Sequence, residues 1–393
     1  MPRYSDLLSL GWDVDYRLSY FVEDPKESRG VLGYNEALIV GSLPLQFFSQ
    51  VNWKDCSLDV FIQSGIKADA ISDYSQNEGY GSQEPCIFYG QEYEFEMTPW
   101  VKDENIKVNI ISADFMSLWA FFEGPAFSTA SSCFITSDAA YCLFPEYTYG
   151  TQKLKWAQDL ESAQESLLPI FRKHVARGWC LNEQSVEQGS DINQEFEDTV
   201  KDLGGPRRIG DEKTWVVPLD CTGIPRAEMN RTVVERNTFQ VQVKMTEDGS
   251  GVFVRFETLE FQCCILEHRY TFDAAPEGQD DFHEYLRYVL CRRAAVQIQK
   301  HIDEGTFTLK KVNYRQALAK MATATETKME GKGCNERCHL LDSRSTKGGF
   351  IVPEGWEYHD NLIPEIWAEW LKAYSRDHGI ITNIQEENDE DEA

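Results

Sequence analysis

The 393-residue sequence contains no apolar run that approaches the roughly 20 residues of a membrane-spanning helix. Its first residues lack the apolar stretch of a secretory signal peptide. It also contains no internal repeat, no heptad pattern, no nucleophile elbow and no glycine-rich fingerprint of a P-loop or a dinucleotide-binding turn. These absences predict a protein that acts away from membranes. The eleven cysteines, an odd number, then predict free thiols and a cytoplasmic location.

Positive charge is scarce in this chain. Lys and Arg number 38 against 65 Asp and Glu, which gives a formal net charge of −27. Six of the acids lie in the last eight residues, so the rest of the chain keeps a net charge of about −21. A surface this acidic argues against general binding to DNA or to an anionic membrane. The 42% of hydrophobic and 12% of aromatic residues are nevertheless typical of a folded protein.

Strand-like and helix-like segments alternate irregularly along the chain. This order predicts an α+β fold with a mixed sheet rather than a repeated βαβ pattern. We expect an α/β core over residues 1–183 and a polar linker or surface excursion over 184–213. A second α+β segment, a three-stranded meander followed by long helices, is expected over 214–384. The acidic residues 385–393 are predicted to be a disordered tail.

Local sequence signals predict several individual elements. Apolar runs and alternating patterns predict strands, and apolar residues at helical spacing predict amphipathic helices. The expected strands are 37–40, 58–62, 107–111, 133–135, 239–245, 252–256 and 260–272, and the expected helices are 115–122, 152–177, 281–301 and 361–376. An Asp-Gly turn between the strands at 239–245 and 252–256 predicts a β-hairpin. Residues 64–90 are rich in Gly, Ser, Asn and Asp, which predicts a long loop or lid.

The first candidate site is the Gly41-Ser42 turn together with Asp59 on the following strand. In nucleotidyltransferase-like folds such a turn holds a triphosphate, and two carboxylates at alternate strand positions bind Mg²⁺. Ser57 stands at the first of those positions, and a single carboxylate does not assemble a two-metal site. Asp55 lies off the alternation and would join Asp59 only through a kink. Residues 31–150 therefore resemble a nucleotidyltransferase-like core that is degenerate or repurposed. On this resemblance, Gly41, Ser42 and Asp59 are expected to bind substrate.

The second candidate site is an acid cluster, Asp280, Asp281 and Glu284, at the start of the long predicted helix. Asp281 as N-cap and Glu284 three residues later match an ordinary capping box, and acids suit the positive end of a helix dipole. The same carboxylates would also grip a guanidinium, hold a metal, or accept a proton from an amine. The residues alone leave the structural and the functional interpretation open.

The Asp-Asp-x-x-Glu pattern of the acid cluster, in an acidic chain of this size, resembles the fungal arginine-containing cyclodipeptide synthases. The resemblance implies that Asp280, Asp281 and Glu284 are catalytic. It also implies that the chain joins arginine, delivered by arginyl-tRNA, to a second aminoacyl group from another tRNA, forming a 2,5-diketopiperazine. No cofactor is expected, because an aminoacyl ester is already activated. The alternatives are a nucleotidyltransferase-fold protein that is active with Mg²⁺ and a nucleoside triphosphate, or a catalytically inactive interaction protein.

A tRNA acceptor stem would require a local basic surface on this acidic chain. Arg292, Arg293 and Lys300 lie on the same predicted helix as the acid cluster, and we expect them to contact tRNA. Complementing the dipole at the end of that helix is the structural alternative. The further basic candidates are Arg172, Lys173, Arg177, Arg207, Arg208, Lys310 and Lys311. Cys334, Cys338 and His339 do not match the spacing of a zinc knuckle, so no metal site is predicted.

Overall fold

The computed structural model describes most of the chain. The described residues are 12–89, 93–103, 106–114, 117–157, 168–181, 192–225, 227, 230–246, 248–249, 251–273, 282–306 and 353–377. The chain divides into two compact units. Unit 1 comprises Met1–Glu260 and Tyr270–Ala274, and unit 2 comprises Phe261–Arg269 and Ala275–Ala393. The domain boundaries expected at 183 and 213 stay predictions, and the expected tail 385–393 lies outside the described residues.

The described helices are mostly short. They are α1 Val14–Leu18, α2 Pro25–Tyr34, α3 Ser42–Ser49, α4 Ile66–Asn77, α5 Ser117–Glu123, α6 Leu168–Ala176, α7 Ile192–Leu203, α8 Arg231–Val234, α9 Phe282–Asp303 and α10 Ile363–Asp377. A π-helical turn spans Glu146–Gly150 and a 3₁₀ turn spans Asp360–Leu362. Among these described helices, none is both long and apolar enough to cross a membrane.

The described strands form three sheets. They are β1 Leu38–Val40, β2 Leu58–Gln63, β3 Gly81–Ser82, β4 Cys86–Tyr89, β5 Glu94–Asp103, β6 Ile106–Ala113, β7 Cys133–Ile135, β8 Ala139–Cys142, β9 Lys153–Leu154, β10 Cys180–Leu181, β11 Gly205–Arg208, β12 Trp215–Pro218, β13 Thr238–Met245, β14 Val252–Phe261 and β15 Tyr270–Asp273. The main sheet has the order β12-β8-β7-β1-β2-β6-β5-β3, with β4 also paired to β5. A smaller sheet has the order β11-β13-β14-β15, and β9 pairs with β10.

The main sheet is mixed, as predicted. Strand β1 runs antiparallel to β2, whereas β2 and β6 are parallel. All three residues of β1 are almost completely buried, which explains why it reads as a continuous apolar run. A Gly-Ser turn and helix α3 connect β1 to β2, so the core has the strand–turn–helix–strand arrangement expected of a nucleotidyltransferase-like fold. The α+β class is therefore confirmed.

The prediction of a long loop over residues 64–90 is wrong. This segment contains helix α4 and the strands β3 and β4. Gly65, which has a φ of 83°, precedes the helix, and the buried side chains of α4 are Ile71 and Ser75. One apolar and one small polar residue give almost no periodic signal, so the helix is stabilised mainly by packing onto the sheet. The first part of the helix expected over 152–177 is also wrong, because β9 occupies Lys153–Leu154. Helix α6 spans Leu168–Ala176, and residues 158–167 between them lie outside the described residues.

Two other regions agree well with the sequence patterns. Strands β13 and β14 form the predicted antiparallel hairpin, with Met245 paired to Val252. The strand expected over 260–272 is shorter in the structure, where β15 covers Tyr270–Asp273. In unit 2 the long helix α9 and the final helix α10 lie close to their expected limits. Phe282 of α9 packs against Trp367 and Trp370 of α10 with ring centroids 4.7 and 5.5 Å apart, which gives this unit an aromatic core.

Candidate functional site

The Gly41-Ser42 turn lies directly against Asp59. Gly41 has φ 73° and ψ −132°, a conformation that side-chain-bearing residues rarely adopt. Asp59 is paired with Val40 across β1 and β2, so its carboxylate faces the turn that follows Val40. A Cβ atom at position 41 would lie only 2.3 Å from Asp59 Oδ2. Both the backbone conformation and this close approach therefore require glycine at position 41.

Two neutral side chains hold the Asp59 carboxylate. Ser57 Oγ donates to Asp59 Oδ1 at 2.7 Å, and Asn109 Nδ2 donates to the same oxygen at 2.6 Å. Asn109 is the in-register neighbour of Asp59 on the parallel strand β6. Asp59 keeps part of its surface exposed, yet burial in the surrounding protein raises its pKa. The two hydrogen bonds and the charges of Lys173 and Lys107 only partly oppose this effect. Both side chains that bind the carboxylate are thus neutral.

These residues do not fit the two-metal centre of a nucleotidyltransferase. Position 57, just before β2, carries Ser, and position 109 on β6 carries Asn. Both side chains donate hydrogen bonds to the carboxylate oxygen that a metal would need. Asp55 does not join Asp59, because its carboxylate is bound by two cations from another part of the chain. Within the described ranges, no group of three or more His, Cys, Asp and Glu side chains could hold a metal ion.

Two cationic residues border the same turn. Arg177, at the end of α6, donates Nη1 to Ser42 Oγ at 3.1 Å and Nη2 to Asp55 Oδ1 at 3.3 Å. Its guanidinium carbon lies 3.9 Å from the centre of the Trp53 ring, and its side chain is only 7% exposed. Lys173, one helical turn earlier, lies 3.2 Å from Asp55 Oδ2. The Asp55 side chain is 65% exposed, so solvent screens its ion pairs with Arg177 and Lys173.

Sequence reasoning named the turn and Asp59 but missed how the site is completed. Arg177 and Lys173 were expected among basic candidates for a tRNA surface, whereas the structure brings them to Ser42 and Asp55. Asn109 was not identified. The available signal was a polar residue inside the apolar run of β6, where Val108, Ile110 and Ile111 are all buried.

The other basic candidates differ in their surroundings. Arg207 is buried and donates to Asp211 and to the Leu143 carbonyl, and Arg208 donates to the Glu235 carbonyl, so both have structural partners. Arg293 and Lys300 are exposed on α9, and Arg292 is half-buried there. Lys310, Lys311, Cys334, Cys338 and His339 lie outside the described residues.

The acid cluster is not described by the structure. Asp280 and Asp281 lie outside the described residues, and the side chain of Glu284 is likewise undescribed although its backbone belongs to α9. The capping-box interpretation and the catalytic interpretation of these acids both stay predictions. The cluster belongs to unit 2, whereas the Gly41-Ser42 turn belongs to unit 1.

Comparison with known proteins yields distant structural likeness only. No protein-family model matches the chain, and no curated protein sequence matches it. A solved CCA-adding enzyme in its apo form I is 13% identical with a TM-score of 0.29, over 49% of this chain and 51% of that chain. A CCA-adding enzyme in complex with CTP is 14% identical with the same TM-score, over 48% and 50%. The chain thus aligns with about half the length of each, and likeness at this level says nothing about activity.

Proposed function

We propose that this protein is a tRNA-dependent cyclodipeptide synthase that joins arginine and a second amino acid into a 2,5-diketopiperazine. The observation that favours this function over nucleotidyl transfer is the single, neutrally held carboxylate at the Gly41-Ser42 turn. Nucleotidyl transfer needs paired carboxylates for Mg²⁺, and Asp59 has Ser57 and Asn109 in their place. An aminoacyl ester is already activated, so a site that only positions it requires no metal.

The reaction consists of two aminolysis steps. The α-amine of one aminoacyl-tRNA attacks the ester carbonyl of the other, a peptide bond forms, and one tRNA leaves with its 3′ oxygen protonated. The free α-amine of the dipeptidyl ester then attacks its own ester carbonyl, which closes the ring and releases the second tRNA. Each attacking amine must be neutral and must lose one proton. Asp280, Asp281 and Glu284 are the proposed catalytic acids, which bind the arginine guanidinium or accept that proton.

Product analysis tests the proposal directly. The full chain is expressed in a bacterial host, and the culture medium is analysed by mass spectrometry for cyclic dipeptides that contain arginine. Asp281→Asn and Glu284→Gln should each abolish the product while leaving the thermal unfolding midpoint nearly unchanged. Asp303→Asn, at the other end of the same helix, is the matched control and should retain the product. Soluble protein without any cyclo(Arg-X) would refute the proposal, and unfolding of both acid variants would favour the capping box.

The alternatives make different predictions in a binding assay. A nucleotidyltransferase would show a higher melting temperature with Mg²⁺ and a nucleoside triphosphate, and Asp59→Asn would remove that shift. A catalytically inactive interaction protein would show no product and no such shift, but would retain a stable protein partner in pull-downs. The replacement of paired carboxylates by Ser57 and Asn109 supports the inactive scaffold over the Mg²⁺-dependent one.

The tRNA contact is proposed for the exposed end of α9. Replacing Arg293 and Lys300 together by Gln should lower product formation, and more strongly at low salt than at high salt, because each lost cation removes a phosphate contact and so reduces the salt dependence of binding. The matched control is Lys201→Gln on helix α7, an equally exposed cation in unit 1. Equal effects of the two changes would contradict a specific contact at α9.

A further inference from the structure

The carboxylate of Asp59 has no direct cationic partner, although the more distant charges of Lys173 and Lys107 act to lower its pKa. It forms no ion pair with any described residue, and both side chains that bind it are neutral. The nearest cations of the turn, Arg177 and Lys173, are instead paired with Asp55. A carboxylate deep in a protein without a cationic partner is costly, and a bound cation would remove that cost.

A second polar atom beside Asp59 lacks a partner. Asn109 is 7% exposed, and its Oδ1 is buried without a hydrogen bond to any described residue. The orientation of this amide is fixed, because its Nδ2 donates to the Asp59 carboxylate, which can only accept. Oδ1 is therefore an acceptor on the amide group that touches Asp59. Buried acceptors are seldom left without a hydrogen bond, so the Asp59 carboxylate and Asn109 Oδ1 together favour a ligand that donates hydrogen bonds.

The neighbouring side of the turn offers the opposite chemistry. Ser42, next to Gly41, receives a hydrogen bond from Arg177, and both side chains can donate to an oxygen atom. A ligand that fits both sides has a cationic N–H donor close to an oxygen acceptor. An α-ammonium group beside its own carbonyl has this arrangement. A guanidinium group lacks the oxygen acceptor that the donors of Ser42 and Arg177 would meet.

We propose that Asp59 and Asn109 form a subsite for the α-ammonium group of an aminoacyl substrate. Ser42 and Arg177, at the turn beside Asp59, bind the adjoining carbonyl oxygen. This inference rests on the proposed function, since it assigns one end of the aminoacyl ester to the Gly41-Ser42 turn. Asp59 and Asn109 are substrate-binding residues here, and no proton transfer is assigned to them.

Calorimetric titration of the full-length chain with small amino-acid amides tests the subsite without any tRNA. L-Leucinamide carries the α-ammonium and the carbonyl, whereas N-acetyl-L-argininamide carries a guanidinium but a blocked amine. L-Leucinamide should bind, N-acetyl-L-argininamide should not, and Asp59→Asn should weaken the binding of L-leucinamide at least tenfold. Asp69→Asn, an exposed acid on α4, is the control and should leave it unchanged.

Several outcomes would overturn the subsite. They are binding of N-acetyl-L-argininamide alone, equal affinity of wild type and Asp59→Asn for L-leucinamide, or a rise in melting temperature with Mg²⁺ alone that depends on Asp59. Asn109→Leu provides a second variant that keeps the charge of Asp59 and should also weaken L-leucinamide binding. If Asp59→Asn unfolds the protein, unchanged binding by Asn109→Leu refutes the subsite.

The subsite and the proposed function can fail separately. If the wild-type chain forms cyclo(Arg-X) and its Asp59→Asn variant still binds L-leucinamide normally, the subsite alone is refuted. Binding of L-leucinamide through Asp59 by a chain that forms no cyclic dipeptide would refute the synthase function and retain the subsite.

Discussion

The buried imidazole of His174 should make unit 1 sensitive to mild acid. The ring is 4% exposed, is stacked on Phe127 with centroids 6.0 Å apart, and meets Trp179 edge-on. Its Nδ1 has no hydrogen-bond partner among the described residues. Burial lowers the pKa of His174 to about 4, and the positive charges of Arg177 and Lys173 add to the effect.

The sign and size of the effect follow from proton linkage. The unfolded imidazole, with a pKa near 6.5, binds a proton before the folded one, with a pKa of about 4. The contribution of neutral His174 to stability is therefore complete above pH 6.5 and is lost as the pH falls from 6.5 towards 4. About 2 kcal/mol of the free energy of unfolding should disappear between about pH 7.5 and about pH 5, and about 3 kcal/mol below about pH 4.

Urea titrations of wild type and His174→Phe, followed by tryptophan fluorescence at several pH values, measure this loss. Phenylalanine keeps the ring stack on Phe127 and cannot bind a proton. The difference between the two curves should therefore grow by about 2 kcal/mol in favour of the variant as the pH falls to about 5. Carboxylates elsewhere titrate in both proteins and cancel in the difference. Parallel loss of stability by the two proteins would refute the assigned protonation, and His174→Leu repeats the comparison if the larger ring strains the core.

Two further predictions concern residues near the main sheet. Gly41→Ala should cost more stability than Gly65→Ala, by at least about 1 kcal/mol, because both glycines have nearly the same φ and ψ but only the Cβ at position 41 would overlap Asp59. Equal melting temperatures of the two variants would contradict the close contact. Arg207→Lys should lower the free energy of unfolding by about 2 kcal/mol, since lysine cannot reproduce the paired bonds to Asp211 at 2.6 and 2.8 Å. Burial tends to raise the pKa of Asp211, but the bonds from Arg207 help to hold it below its usual value. The variant should therefore lose less stability than wild type as the pH falls. An unchanged urea midpoint would show that the Arg207–Asp211 pair contributes nothing to stability.

Local sequence patterns were sufficient for the elements whose signal is carried by adjacent residues. The apolar run Leu38–Val40, the turn chemistry between β13 and β14, and the helical spacing in α9 and α10 each predicted the observed element. Helix α4 shows the opposite case. The buried face of α4 is too weakly apolar to produce a helical pattern in the sequence, and the helix is stabilised by its packing onto the sheet.

The sequence by itself also determined the chemistry that the Gly41-Ser42 turn lacks, because Ser57 stands where a second metal-binding carboxylate would be needed. Only the tertiary structure decided which groups surround Asp59. Asn109 reaches it through the register of two parallel strands, 50 residues away in sequence, and Arg177 reaches Ser42 across 135 residues. Such contacts depend on which strands pair and which faces are buried, and these choices minimise the free energy of the whole chain rather than of any segment.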